Sequence, residues 1–195
     1  MSDSREDQFG ALYGWTHPRI VAYALRRTAS REDAADVVAE TFEVAWRRFD
    51  DIPSGDAALL WLYGTARYVL ANQLRRGRRR GELVKRLAAE LLSIPVRAEA
   101  LDEQGILMAS CLRSLPADDR EVLMLAAWEG LSASEIGRLM DCSPTAARIR
   151  LHRARTRLKD SIAELSVSEK RSGQERQEHG GGERVRATSE EVMEQ

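Results

Sequence analysis

Arg148, Arg150, Arg153, Arg155 and Arg157, with His152 among them, fall within ten consecutive positions, and no acid interrupts the stretch from Ser143 to Lys159. Guanidinium groups at this density suit recognition of a polyanion, because their forked donors match phosphate oxygens and the guanine edge. A second group has a different character. Trp61, Thr65, Tyr68, Asn72 and Arg75 recur every three or four residues, which gathers two rings, an amide and a guanidinium on one face of a helix. Rings stack on unpaired bases, and Asn and Arg reach base edges and phosphates. A third group is acidic: Asp33, Asp36, Glu40 and Glu43 recur at helical spacing with no Lys or Arg between them. Such a stripe suits docking on a basic protein surface. Each group also has a plainer reading: the outer face of a helical hairpin, aromatics that pack inside, and a solvated acidic face.

The elements that position these groups follow from periodicity, which is helical nearly everywhere. Ser30 predicts the N-cap of a helix over 31–49, with Asp33 as a weaker stand-in for the Glu of a capping box and Val38, Phe42, Ala45 and Phe49 facing the core. Pro53 and Gly55 mark a loop, and Asp56 is the expected N-cap of a helix over 57–76 that buries Leu59, Leu62, Ala66, Val69 and Gln73. Leu115-Pro116 opens a further helix that runs to Trp128 and stops at Gly130. Ser132-Ala133-Ser134-Glu135 is a capping box leading a helix whose stripe is Ile136, Leu139 and Met140. Asp141-Cys142 then turns the chain, Ser143 caps the last helix, and Pro144 takes its first position, where proline's missing N–H costs nothing. Ala147, Leu151, Ala154 and Leu158 form the seam of that helix and leave its arginines outside. Helix, short turn and basic helix is the helix-turn-helix plan, whose second helix enters the major groove.

Composition bounds these readings. The chain has 195 residues, 43% of them apolar and 31% charged, with a net charge of −1. The distribution matters more than the sum, since eight Lys and Arg stand against Glu82 between Arg67 and Arg86. Cys111 and Cys142 are far apart and no CxxC or His/Cys cluster occurs, so neither a metal nor another cofactor is expected, and Cys111 reads as a buried thiol. No Ser/His/Asp set or phosphate-binding loop points to an enzyme. The opening MSDSREDQFG has no apolar run and no segment has 18 uninterrupted apolar residues, so neither a signal peptide nor a membrane span is expected, and the expected location is the cytoplasm. The expected architecture is all-α: a helical domain over 8–76, a flexible linker over 77–104, a second helical domain over 105–163, and a tail over 166–195 too polar to offset its ordering entropy.

With these elements in order, the chain resembles the extracytoplasmic-function class of the sigma-70 family. Asp33-Ala34-Ala35-Asp36-Val37-Val38-Ala39-Glu40-Thr41-Phe42 and Ala45-Trp46-Arg47 resemble region 2.2. Trp61-Leu62-Tyr63-Gly64-Thr65-Ala66-Arg67 and Asn72-Gln73-Leu74-Arg75-Arg76 are similar to regions 2.3–2.4. Leu115-Pro116, Arg120-Glu121-Val122-Leu123, Glu129-Gly130-Leu131-Ser132, Glu135-Ile136-Gly137 and Arg150-Leu151-His152-Arg153-Ala154-Arg155 resemble region 4.2. The likeness covers roughly residues 8–163.

The resemblance implies a factor that binds core RNA polymerase and directs it to promoter DNA. Asp33, Asp36, Val37, Glu40 and Glu43 would dock on the clamp helices of the largest polymerase subunit. The loop with Ser54 and Asp56 would hold a flipped −10 base. Trp61, Thr65, Tyr68, Asn72, Arg75 and Arg76 would face the −10 element. Thr145, Arg148, Ile149, Arg150, His152, Arg153 and Arg155 would read the −35 element while their domain grips the polymerase flap. The connector would thread toward the active-site and RNA-exit channels. An anti-sigma factor is the usual further partner of such proteins. Departures from the family pattern are Ala35 and Ala39 for Glu and Gln, Tyr68 where Asn is frequent, Thr145-Ala146-Ala147 for Gly-Thr-Val, and Ile149 for Ser. The rival reading is a helix-turn-helix regulator that never binds core polymerase. It would explain 115–160 and leave the acidic stripe and the Trp61-to-Arg76 face without a role.

Overall fold

A computed structural model describes residues 4–80 and 103–165, and every regular element among them is helical. The tail over 166–195 and residues 81–102 of the connector lie outside the described residues.

Helix α1, Arg5–Leu25, begins ahead of the expected domain bound at residue 8, where Ser4 and Asp7 close a capping box, with Asp7 N–H donating to Ser4 Oγ at 3.2 Å and Ser4 N–H to Asp7 Oδ2 at 3.1 Å. Helix α2, Arg31–Arg47, begins at the Ser30 cap, where the side chain accepts from Asp33 N–H at 3.0 Å. Only that half of the box is recorded. The chain then tightens into a 3₁₀ turn over Phe49–Asp51, so the last two residues of the expected helix fall outside α2. Gly55, at φ +65°, reverses the chain into α3, Asp56–Arg80. The sequence predicts an end at Arg76. The helix instead continues through Gly77, since the arginines on either side are good helix formers.

The second half holds α4, Glu103–Ser114; α5, Ala117–Ala127; α6, Ala133–Leu139; and α7, residues 144–165. Gly130, at φ +67°, lets Leu131 N–H reach back to Leu125 C=O at 3.1 Å and closes off α5.

Ile20, Tyr23, Val37, Phe42, Leu62, Ala66 and Val69 are buried where α1, α2 and α3 meet. The same cluster takes in Val122, Leu125, Ile136 and Ala147 from α5, α6 and α7. A smaller cluster of Leu112, Leu115, Leu123 and Ala154 lies within the second half, and Cys111 is fully buried as expected. Each fully buried Leu, Ile or Val contributes about 1.5–3 kcal/mol. The apolar core is therefore continuous from α1 to α7, and the two halves touch through it.

Candidate nucleic-acid interface

The helix-turn-helix is α6, a turn and α7. Ser132 and Glu135 close a full capping box: Ser132 N–H donates to Glu135 Oε2 at 2.8 Å, and Glu135 N–H donates to Ser132 Oγ at 3.3 Å. The Ser132 hydroxyl also donates to Glu135 Oε2 at 2.6 Å, and these hydrogen bonds hold the Glu135 carboxyl below the usual carboxylate range. The turn is tight because Asp141 is left-handed, at φ 52°, and Cys142 N–H donates to Gly137 C=O at 2.9 Å. Ser143 caps α7 by accepting from Ala146 N–H at 3.1 Å.

On α7, Ala147 and Ala154 are buried, and Leu151 and Leu158 are half-buried against the core. Thr145, Arg148, Ile149, His152, Arg153 and Arg155 are exposed, and Arg150 is half-buried at the edge of the seam. Ile149 is 48% exposed, so its departure from the family pattern sits on the outer face. Arg157 has a different place. It forms an ion pair with Asp119 of α5, whose side chain is 9% exposed, so it is tied to the scaffold as well as facing solvent.

Along α3, Leu59, Leu62, Ala66 and Val69 are buried as the pattern requires, and Gln73 is half-buried. Tyr68 projects outward at 64% exposed, and Arg75 is exposed, donating to Asn72 Oδ1 at 2.5 Å. Trp61 and Thr65 are half-buried, Trp61 against the core and Thr65 with its hydroxyl donating to Trp61 C=O at 3.1 Å. The two rings thus divide between the plain reading and the functional one. Arg76 lies in α3, but its side chain is outside the described residues. Ser54 and Asp56 are exposed and line a 550 Å³ pocket walled by Leu12, Trp15 and Phe49.

On α2, Asp33, Asp36 and Glu43 are exposed, Glu40 is half-buried, and Glu43 pairs with Arg47 at 3.6 Å. Val37 corrects the sequence-based expectation: it is fully buried, so it supports α2 from within and offers no surface to a partner.

Four charged residues join the halves: Glu121 and Glu129 fall within the quoted motifs, but nothing local pairs them with Arg26 and Arg27. Arg27 donates from Nε to Glu121 Oε2 at 3.0 Å and from Nη1 to Glu129 Oε1 at 3.0 Å, and Arg26 Nη2 donates to the same Glu129 oxygen at 2.9 Å. The Tyr23 hydroxyl donates to Glu121 Oε1 at 3.4 Å, and the Arg27 guanidinium lies 3.7 Å from the Tyr23 ring centre. Burial, then the Glu121 charge, pushes the Tyr23 phenol far up and keeps it neutral. Burial works against the Arg27 charge, but the Glu121 and Glu129 carboxylates beside it push its pKa up. The partners lie 94 to 103 residues apart in sequence, so no local spacing could have announced them.

Among the described residues, no group of His, Cys, Asp or Glu could hold a metal ion, and no helix is long and apolar enough to cross a membrane.

Comparison with known proteins adds to this geometry. Residues 12–80 match the family model of Sigma-70 region 2, and residues 106–158 match that of Sigma-70, region 4. Neither is the model of a catalytic family. The chain is 29% identical over 168 residues to RNA polymerase sigma factor CarQ of Myxococcus xanthus, covering 85% of this chain and 95% of that protein. It is 30% identical over 156 residues to the ECF RNA polymerase sigma-E factor of Haemophilus influenzae, covering 74% and 82%. A solved structure of the sigma factor RpoE in complex with the anti-sigma factor NepR, from Bartonella quintana, superposes with a TM-score of 0.62 at 25% identity, covering 80% of this chain and 97% of that one.

Proposed function

The chain belongs to the sigma-70 family, as a member of its extracytoplasmic-function class, and on that premise we propose that it binds core RNA polymerase, recognises the −10 and −35 promoter elements and promotes DNA melting through binding alone. The observation that carries this reading is one chain presenting, in family order, an exposed acidic face on α2, a mixed aromatic and polar face on α3, and a basic helix-turn-helix.

Asp33, Asp36, Glu40 and Glu43 dock on the clamp helices of the largest polymerase subunit. Tyr68, Asn72, Arg75 and Arg76, with the half-buried Trp61 and Thr65, face the −10 element. Ser54 and Asp56 rim the pocket that takes an unstacked base, an extraction that costs a few kcal/mol and is offset by stacking and hydrogen bonds. Thr145, Arg148, Ile149, His152 and Arg153 reach base edges at −35, and Arg150 and Arg155 meet phosphates at the flanks. The second half grips the polymerase flap. The residues divide into a polymerase and −10 domain over 8–76, a connector over 77–104 and a −35 domain over 105–163. No step needs chemistry from this chain. An anti-sigma factor is a further partner, supported by the complex in which the related RpoE was solved. The place of action is the cytoplasm, where polymerase and promoter meet.

Two experiments test the reading. Mixed with core polymerase, the full chain co-purifies and restores initiation in vitro, and mapped start sites share −10 and −35 elements. A helix-turn-helix regulator would do neither. The double variant Asp36→Arg, Glu40→Arg keeps its helical circular dichroism and loses core binding by several kcal/mol, because like charges then face a basic surface. Undiminished capture of core enzyme by the folded variant rejects the α2 docking surface.

A further inference from the structure

Trp15 is 41% exposed on α1, an unusual place for a ring that ordinarily buries most of its surface. Its neighbours hold it there. Leu12 and Thr16 are buried one helical turn apart, and the Thr16 hydroxyl donates to Leu12 C=O at 2.7 Å. The backbone on both sides of Trp15 is therefore anchored, and the helical period places the ring beside that core-facing row rather than within it. There it walls the 550 Å³ pocket that Ser54 and Asp56 rim.

The rest of this pocket is also formed in advance. In the 3₁₀ turn, Asp51 N–H donates to Arg48 C=O at 2.9 Å and Ile52 N–H to Phe49 C=O at 3.1 Å. Arg48 Nε donates to Asp51 Oδ2 at 2.9 Å, and the Phe49 ring packs edge-on to Phe9 at 5.8 Å. A preformed cleft loses little freedom when it is filled. Its charges are ordered as well. Asp50 and Asp56 bring carboxylates to the pocket, and the Arg19 guanidinium lies 5.8 Å from the Trp15 ring centre. A nucleotide has a flat base with N–H donors at one end and a phosphate at the other. Carboxylates accept from the base and repel the phosphate, which Arg19 attracts. The cleft therefore admits a nucleotide base first, with its phosphate on the Arg19 side.

We propose that Trp15 is the stacking platform of this pocket: its ring takes the face of the −10 base drawn out of the duplex, while Ser54 and Asp56 meet the edge of that base. The role rests on the sigma-factor reading, and it adds a residue of α1 to the loop and the α3 face assigned above. Because every base has a π-face, Trp15 holds the base without reading it.

The test loads the full chain onto core polymerase and titrates a promoter whose −10 region is already unpaired, so that opening the duplex does not enter. Trp15→Leu keeps apolar bulk and removes the ring, whereas Trp15→Phe keeps a ring. Trp15→Leu should bind this promoter about tenfold more weakly, by a similar factor whichever base is supplied, and Trp15→Phe should stay within about threefold of wild type. Both variants should match wild type in helical circular dichroism and in affinity for core polymerase. Removing one base at a time from the unpaired strand locates the stack. At one −10 position the Trp15→Leu loss should vanish, because no base is left to stack, and elsewhere it should persist. A Trp15→Leu variant that binds like wild type, or whose loss survives at every abasic position, overturns the role. So does a parallel loss of core affinity, which makes Trp15 a polymerase contact. Aminopurine at each −10 position in turn gives a reading that does not need Trp15→Leu to fold. At one position the stacked indole of the wild type should quench its fluorescence and Trp15→Phe should restore it, and equal fluorescence at every position overturns the role. A wild-type chain that forms no promoter complex with core polymerase overturns the sigma-factor reading, and this role with it.

Discussion

Arg148 and Arg153 differ from Arg157 in what is left for them to touch. The first two are exposed on the face of α7 turned away from its seam, whereas Arg157 is held by Asp119. Their replacements should fail differently. Arg148→Ala or Arg153→Ala costs about 1–3 kcal/mol at the cognate −35 site and relaxes preference at one or two positions. Arg155→Ala weakens binding to all sequences alike and lowers the salt dependence by about one unit of slope. Titration over −35 variants at several salt concentrations separates the two patterns, and uniform loss in Arg148→Ala and Arg153→Ala reassigns them to phosphates. By spacing Arg157 belongs to the same basic run. Its ion pair shifts the expectation to the fold: Arg157→Ala leaves a nearly buried carboxylate unpaired and lowers stability by about 1–3 kcal/mol, read from a denaturant melt.

At the scale of the element, the helix-turn-helix depends on two local devices. The first is the Ser132–Glu135 box. Because Glu135 titrates below the usual carboxylate range when folded, its contribution is fully present above the unfolded value near 4.3 and is lost as pH falls through the lower folded value. Glu135→Gln should therefore flatten stability against pH below about 4.3. An acid limb identical to wild type rules the box out as its source. The second device is Gly137. A Cβ there would stand 2.7 Å from Cys142 C=O and 3.4 Å from Pro144 N, both backbone atoms that cannot swing aside. Gly137→Ala should cost about 1–3 kcal/mol by overpacking, seen as a lower melting temperature and weaker −35 binding together. The first device is legible in the sequence, because Ser-x-x-Glu is a cap signature, whereas Gly137 stands there only as part of a family motif. The distance of that approach is not legible, because it depends on the path of the turn.

For the whole molecule, the core continuous from α1 to α7 is what links the halves. Leu125 is fully buried in it, while Ile106 is 51% exposed on α4. Leu125→Ala should cost about 2–5 kcal/mol, whereas Ile106→Ala should stay within about 0.5 kcal/mol of wild type. Urea unfolding of both variants checks this, and comparable losses would place Ile106 in a packed interface. The same continuity explains why Trp61 is half-buried although its spacing puts it with exposed residues. A helix face predicted from one segment is exposed only until another segment arrives to cover it.

The sequence by itself determined what is local. Capping residues, the period of 3.6, the turn glycines and the order of acidic, aromatic and basic faces are each set within about ten residues, so they can be read without knowing where the chain goes. Tertiary structure decided what depends on distant neighbours. Val37 belongs to the acidic segment by sequence and to the core by packing. Arg157 is divided between solvent and Asp119, and Arg26 and Arg27 meet Glu121 and Glu129 across roughly half the chain. Burial and charge pairing are properties of surroundings, and those are assembled only when separate segments pack.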